Sequence, residues 1–446
     1  MKYESQKVAK LYFLGALTVF SLQLVFGLLA AYLYVTPTGL PAYLPFNTLR
    51  MVHTNALIVW LLMGFFGATY YLLPEETERE LHSPGIAILQ FWAFFIAAVA
   101  CVVGYLFGYS ADEGRSYLEQ PLIVKIGIVV VALLFLYNCT MTVLKGRKTV
   151  ISNILLMGLW GIALFFLFAF YVPNNLVLDK MFWWWVVHLW VEGVWELVMA
   201  SILAFLLIKL TGVDREVVEK WLYVIVALTL FTGILGTGHH YYWIGTPGYW
   251  QWIGSVFSAL EPIPFFAMVI FAFGMVWKAG RKHPNGAALL WSLGCAVMAF
   301  LGAGVWGFLH TLAPINFYTH GTQITAGHGH LAFYGAYAMI NLAMITYAMP
   351  NLLGREPYNQ TLNIFSFWIM TGGVVIMTIA LTFAGTVQVT LERVLNQSYM
   401  DAQSQMGLFY VARLIGGGFV AVGLVMFLVA ILVPGRRTSA AYVPAE

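Results

Sequence analysis

About twelve stretches of mostly apolar residues, each long enough to cross a bilayer, run through this 446-residue chain, near 10–36, 51–73, 84–108, 121–143, 150–172, 181–211, 217–240, 248–277, 286–310, 324–350, 361–386 and 407–434. A helix needs about 20 such residues to span the hydrocarbon core. In lipid only helices and closed barrels satisfy their own backbone, and these runs are too long for barrel strands. The pattern predicts an all-α integral membrane protein, a bundle of about twelve transmembrane helices. Composition agrees: 9% of the residues are charged, where a soluble domain has about a quarter. Connections are short and no linker divides the chain, so one domain over 1–446 is expected. The apolar run Leu11–Val35 is too long for the core of a signal peptide and counts as the first span.

Basic residues orient the bundle. Lys2, Lys7 and Lys10 precede the first span, and Lys145, Arg147 and Lys148 follow the fourth. Lys278, Arg281 and Lys282 follow the eighth, and Arg436 and Arg437 the twelfth. With twelve crossings all four clusters share one side, which the positive-inside rule makes cytoplasmic, with both termini inside. A net charge of +3 spread over short loops gives no nucleic-acid surface. Cys101, Cys139 and Cys295 lie in apolar runs and form no CxxC or CxxCH, so they are packing residues and no haem is attached covalently.

Against this background six histidines stand out near the outer ends of spans: His53, His188, His239, His240, His328 and His330. Imidazole is the commonest metal ligand, and a polar side chain at membrane depth is costly without a partner. His328 and His330, two residues apart, project to opposite sides of one helix. One helix can then serve two metal centres: His330 with His53 as the axial pair of a low-spin haem, and His328 on a second haem with an open face. A polar helix end is the plainer reading of GHGH. His239 and His240 can close on one pocket with His188 and offer three nitrogens to a non-haem metal, or can be interfacial residues beside Tyr241, Tyr242 and Trp243. His310 and His320 suit capping or a propionate contact better than ligation. His82 and His283 fall in inner loops and are expected to be solvated.

Three acids accompany the histidines. Glu192 and Glu196 follow His188 at four and eight residues, and Glu261 lies inside the eighth span beside Pro262 and Pro264. A carboxylate in lipid is costly unless paired or protonated. The plainer reading is acids that tie helices together by hydrogen bonds.

Taken together, the H…HH…HxH outline, HLWVE at 188–192, TGHHYYWIG at 237–245, Glu261 and HGHLAFYGAY at 328–337 resemble the haem–copper oxidase superfamily over the whole chain. Within it they resemble the large subunit of the cytochrome c-dependent bacterial nitric oxide reductases. Copper oxidases typically show HPEVY where this chain has HLWVE, so Glu192 takes the place of their tyrosine. The resemblance implies a subunit I-like fold, haem b on His53 and His330, haem b3 on His328, and a non-haem iron on His188, His239, His240 and Glu192. Glu196 and Glu261 would deliver protons or shape the pocket. It also implies a calcium ion near the haem propionates. In GRSYLEQP, Glu119 matches one of its acidic ligands but Ser116 stands where the other is expected, and a hydroxyl is a weak calcium ligand. Arg50, one turn before His53, is a propionate partner or an interfacial arginine.

The activity implied is the reduction of two nitric oxide molecules to N2O and water. Electrons would come from a membrane-anchored cytochrome c subunit and protons from the periplasmic side of a bacterial inner membrane, without pumping. Two alternatives remain: a cbb3-type cytochrome c oxidase subunit reducing oxygen, and a proton-coupled transporter using the same histidines and acids.

Overall fold

The computed structural model of the protein describes residues 1–110, 114–279, 283–357 and 359–433. Arg281, Lys282, Arg436 and Arg437, part of the basic pattern, lie outside them.

Among the described residues twelve helices are long and apolar enough to cross a membrane. They are α1 (Glu4–Val35), α2 (Phe46–Thr77), α3 (Pro84–Leu106), α4 (Leu122–Lys145), α5 (Val150–Phe170) and α6 (Leu176–Thr211), then α7 (Arg215–Tyr241), α8 (Tyr249–Trp277), α9 (Gly286–Thr311), α10 (Gln323–Leu353), α11 (Gln360–Val394) and α12 (Gly407–Leu432). The hydropathy runs located all twelve. The helices exceed them at several ends because polar caps extend the regular structure past the apolar part. Asn175 accepts from the backbone N–H groups of Val177 and Leu178 at the start of α6, five residues before the apolar run begins. Ser83, Asp214, Asn285 and Thr322 cap α3, α7, α9 and α10 in the same way. Gly212, at φ 71°, ends α6 in the left-handed conformation that glycine adopts without strain.

Polar contacts between helix ends sort the chain into two faces. On one, Gln6 of α1 donates to the Tyr71 carbonyl of α2 at 2.9 Å, Arg147 pairs with Glu78 at 2.6 Å, and Arg215 of α7 meets Glu76 of α2 at 2.7 Å. On the other, Arg50 of α2 pairs with Glu119 at 3.2 Å, and Arg115 with Asp179 of α6 at 2.5 Å. There too Trp243 donates to Asn316 at 2.8 Å, and the Gln323 N–H of α10 donates to the Gln388 side chain of α11 at 3.0 Å. Successive helices therefore alternate in direction. Lys7, Lys145 and Lys148 sit at helix ends on the first face, as the basic pattern requires. His82 and His283 on that face are half-buried rather than solvated, the first with its ring 3.5 Å from the Lys145 amine and the second against Tyr347.

The helices at the centre, α2, α6 and α10, are those that carry His53, His188 with Glu192, and His328 with His330. They meet through an aromatic ladder in which Trp195 of α6 stands edge-on to Phe65 of α2 at 5.5 Å and to Tyr337 of α10 at 5.3 Å. α3 turns most of its side chains outward: Ile96, Val99 and Val103 are exposed, as a lipid-facing helix requires. Cys139 and Cys295 are buried among apolar neighbours, and all three cysteines are free.

Candidate metal and haem centre

His188, Glu192, His239 and His240 converge so that one ligand atom from each lies within 4.8 Å of all the others. Glu192 reaches to 3.5 Å from His188 Nδ1 and 3.9 Å from His239 Nε2. Each ring is held by the nitrogen that faces away from the cluster or by stacking. His188 Nε2 lies 2.7 Å from the Gly233 carbonyl, so it carries the proton and donates, which leaves Nδ1 as a bare acceptor. That Nδ1 is buried without a partner, as is His240 Nε2. His239 Nδ1 is 2.8 Å from the Ser258 hydroxyl, and His240 lies flat on Trp184 at 4.1 Å. Buried polar atoms are nearly always satisfied. Two bare imidazole nitrogens and a carboxylate turned toward one point are the donor set of a cation, and the outward hydrogen bonds are the supports such ligands need.

The backbone departs from the α-helix at these residues. Trp190–Val194 of α6 is a π-helical turn, with Glu192 at φ −112° and ψ 28°. The four-residue spacing from His188 to Glu192 therefore does not follow regular helix geometry; the widened turn swings the carboxylate to the imidazole. The Val191 carbonyl it frees accepts from the Tyr337 hydroxyl. α7 ends in a 3-10 turn, Thr237–Tyr241, and this tightening brings adjacent His239 and His240 into one pocket. Gly233 lets α7 approach: a Cβ there would collide with the Glu192 carbonyl oxygen. π turns cluster at functional sites, and two more, Phe300–Trp306 and Phe333–Ala338, flank His328 and His330.

His53 and His330 form a second candidate pair. Their rings face each other at 6.2 Å, 29° from parallel. His53 Nδ1 donates to the Gln23 carbonyl at 2.8 Å, and His330 Nδ1 to the Ala326 carbonyl at 2.7 Å, so both Nε2 atoms are free to act as acceptors. A metal–imidazole bond is about 2 Å, and two rings across one metal then stand about 6 Å apart, which is the separation found. His328 Nδ1 is bound to the Gly302 carbonyl at 3.2 Å, and its ring passes beside Gly307. Its Nδ1 is thus engaged on the side of Gly302. His310 is already satisfied by Thr319 at 2.8 Å and Thr325 at 3.0 Å, and His320 bonds the Asn316 carbonyl.

The three acids differ. Glu192 keeps some exposure, 23% of its side chain. Glu196 is buried and accepts from Thr229 of α7 at 3.0 Å, the helix-tying role. Glu261 is buried at the break in α8 that Pro262 and Pro264 impose. Its Oε1 has no partner, and Glu192 and Glu196 are its acidic neighbours. Glu119 bonds both Arg50 and Asn55, the latter at 2.9 Å, and Ser116 lies 3.5 Å from Arg50. The outer network therefore brings Arg50, Ser116 and Glu119 together. The sequence pointed to the histidine rings that converge here; it held no sign of Gly233, Ser258, Gln23 or Gly302, whose partnering atoms are mostly backbone carbonyls that any residue carries.

The family model described as Cytochrome C and Quinol oxidase polypeptide I matches residues 7–419. A nitric oxide reductase subunit of Stutzerimonas stutzeri is 57% identical over 98% of this chain and 96% of its own length. The Cbb3-type cytochrome c oxidase subunit CcoN1 of the same organism is 24% identical over 85% of this chain and 84% of its own. Among solved structures, a haem–copper terminal oxidase dimer determined by cryo-EM superposes with a TM-score of 0.74 at 14% identity, covering 98% of this chain and 88% of that one.

Proposed function

The chain belongs to the cytochrome c and quinol oxidase polypeptide I family, the haem–copper oxidases, and we propose that it is the catalytic large subunit of a nitric oxide reductase. The family binds haems and a further metal. The observation that carries the finer reading is Glu192 among three imidazoles. A hard carboxylate added to three nitrogens suits iron better than copper, and a phenol-bearing side chain is missing from that position.

His188 Nδ1, His239 Nε2, His240 Nε2 and a Glu192 oxygen would hold the non-haem iron, His328 the haem b3 beside it, and His53 with His330 the low-spin haem b. When bound, the haem b3 and non-haem iron pair supplies the two adjacent sites at which two NO molecules are reduced to N2O and water by two electrons and two protons. The protein's part is to hold both centres a fixed distance apart, which turns an encounter of two NO molecules into an oriented one. α10 does this for electrons as well, since His328 and His330 tie the two haem sites to one rigid helix. Glu261 holds a proton at the pocket edge, and Glu196, bonded to Thr229, fixes the wall behind it. Arg50 and Glu119 frame the outer rim, where a haem propionate, and a calcium ion if Glu119 yields an oxygen, would sit.

The chain has no CxxCH, so the electron donor is a separate membrane-anchored cytochrome c subunit docked on the face that carries the histidines. That face is periplasmic in a bacterial inner membrane, with both termini of this single catalytic domain in the cytoplasm. Protons enter from the periplasm and none are pumped. Feeding NO anaerobically to the reduced two-subunit complex should yield one N2O per two NO. Intact haem bands with no N2O would refute the assignment.

A further inference from the structure

Two of the central helices leave α geometry where they touch. The π turn of α6, Trp190–Val194, carries Glu192, and the π turn of α10, Phe333–Ala338, carries Tyr337 on the same helix as His328. One bond runs between them: the Tyr337 hydroxyl donates to the carbonyl of Val191, the residue before Glu192. Tyr337 is buried, and its ring is held edge-on by Phe65 at 6.1 Å and by Trp195 at 5.3 Å. α10 is in turn pinned to α9. A Cβ at Gly335 would collide with the Met298 backbone, and one at Gly302 with the Leu331 carbonyl, so these two helices lie backbone against backbone. The hydroxyl is thus presented to α6 from an anchored helix.

We infer that Tyr337 is a latch that holds the α6 π turn open, and that through it the protein sets the Glu192 carboxylate against His188 in register with the helix that bears His328. The inference rests on the reading of Glu192 as a ligand of the non-haem iron. A π turn lengthens the hydrogen-bonded ring of the helix by one residue and takes a carbonyl from its regular partner. A group freed in this way inside a protein is nearly always satisfied by another donor, and here the donor is one phenolic hydroxyl. Without it, the Val191 carbonyl regains a partner when the turn tightens to α geometry, and that motion carries Glu192 away from the imidazole. Tyr337 is no ligand itself. It is a positioning residue that acts on the iron through the backbone of the residue that binds it, as the outer supports of metal ligands do. The same bond ties the helix with the carboxylate to the helix with the haem ligand, so α6 and α10 keep one relative position at the pocket.

The test reads non-haem iron in the purified two-subunit holoenzyme by competition with a chelator, with the haem spectra recorded beside it. Tyr337→Phe removes one oxygen and keeps the ring. It should weaken iron binding roughly 10–100-fold with both haem bands intact. In a Glu192→Gln background the same change should weaken it no further, because the ligand that it positions is gone. Unchanged iron affinity in Tyr337→Phe, or full additivity of the two substitutions, would overturn the inference. Loss of the haem bands together with the iron would overturn it too, since the packing of the ring and not its bond would then be at work. If Tyr337→Phe does not assemble, replacement of Tyr337 by 4-aminophenylalanine and by 4-methylphenylalanine decides. Both fill the volume of the hydroxyl and only the amine donates, so equal iron affinity in the two would overturn the inference as well. A Glu192→Gln complex that binds iron at full strength would instead refute the reading of Glu192 as a ligand, so the two failures are distinguishable.

Discussion

A histidine becomes a ligand when the protein occupies one ring nitrogen and leaves the other bare. His188 meets that condition through Gly233, His53 through Gln23, His330 through Ala326 and His328 through Gly302. His310, with both nitrogens bound to threonines, does not. The sequence singled out these rings as candidates, but their supporting partners were hidden because most are backbone carbonyls. Two consequences follow at this scale. Glu192→Gln keeps the size of the side chain but removes its charge. Both haem spectra should persist while most of the non-haem iron is lost and NO turnover falls by about 100-fold or more, as read by elemental analysis and NO uptake; full activity would show that Glu192 is not a ligand. Ser258→Ala deletes the hydroxyl behind His239. Iron should still bind, but roughly 10–100-fold more weakly, measured by competition with a chelator.

At the scale of the element, the apolar runs gave the number and order of helices and missed their internal irregularities. A π turn at 190–194 and a 3-10 turn at 237–241 build the metal pocket, and neither leaves a hydropathy signal because both lie within apolar sequence. The only trace is glycine. Gly233→Ala would drive a methyl group into the Glu192 carbonyl. Relieving the clash should cost about 1–3 kcal/mol and displace the carboxylate, so the variant should melt at lower temperature and lose non-haem iron before either haem. The helix ends make a separate prediction. Arg115 is fully buried and bonds Asp179 and the Ala169 and Tyr171 carbonyls. Asp179→Asn would strand that charge, at a cost of about 3–5 kcal/mol, visible as a fall in thermal stability of the purified protein with the haem spectra unchanged in the surviving fraction.

For the whole molecule, the alternation of helices places every metal-ligand candidate on the face that carries Arg50, Arg115 and Trp243, and gathers Lys7, Lys145 and Arg215 on the other. Basic residues alone foresaw this division, since twelve crossings return the chain to its starting side. The depth of the centre is what makes proton uptake from the near face the economical route. In liposomes, NO-driven turnover should therefore neither acidify the medium outside nor build a membrane potential, and either result would contradict the non-pumping account. The central claim is narrower: a carboxylate one turn from an imidazole makes the third metal an iron. Counting iron and copper in the purified complex, with its optical spectrum recorded beside the count, tests it most directly. The account predicts one iron beyond those in the haems and no stoichiometric copper; copper in that place, or haem iron alone, would contradict it.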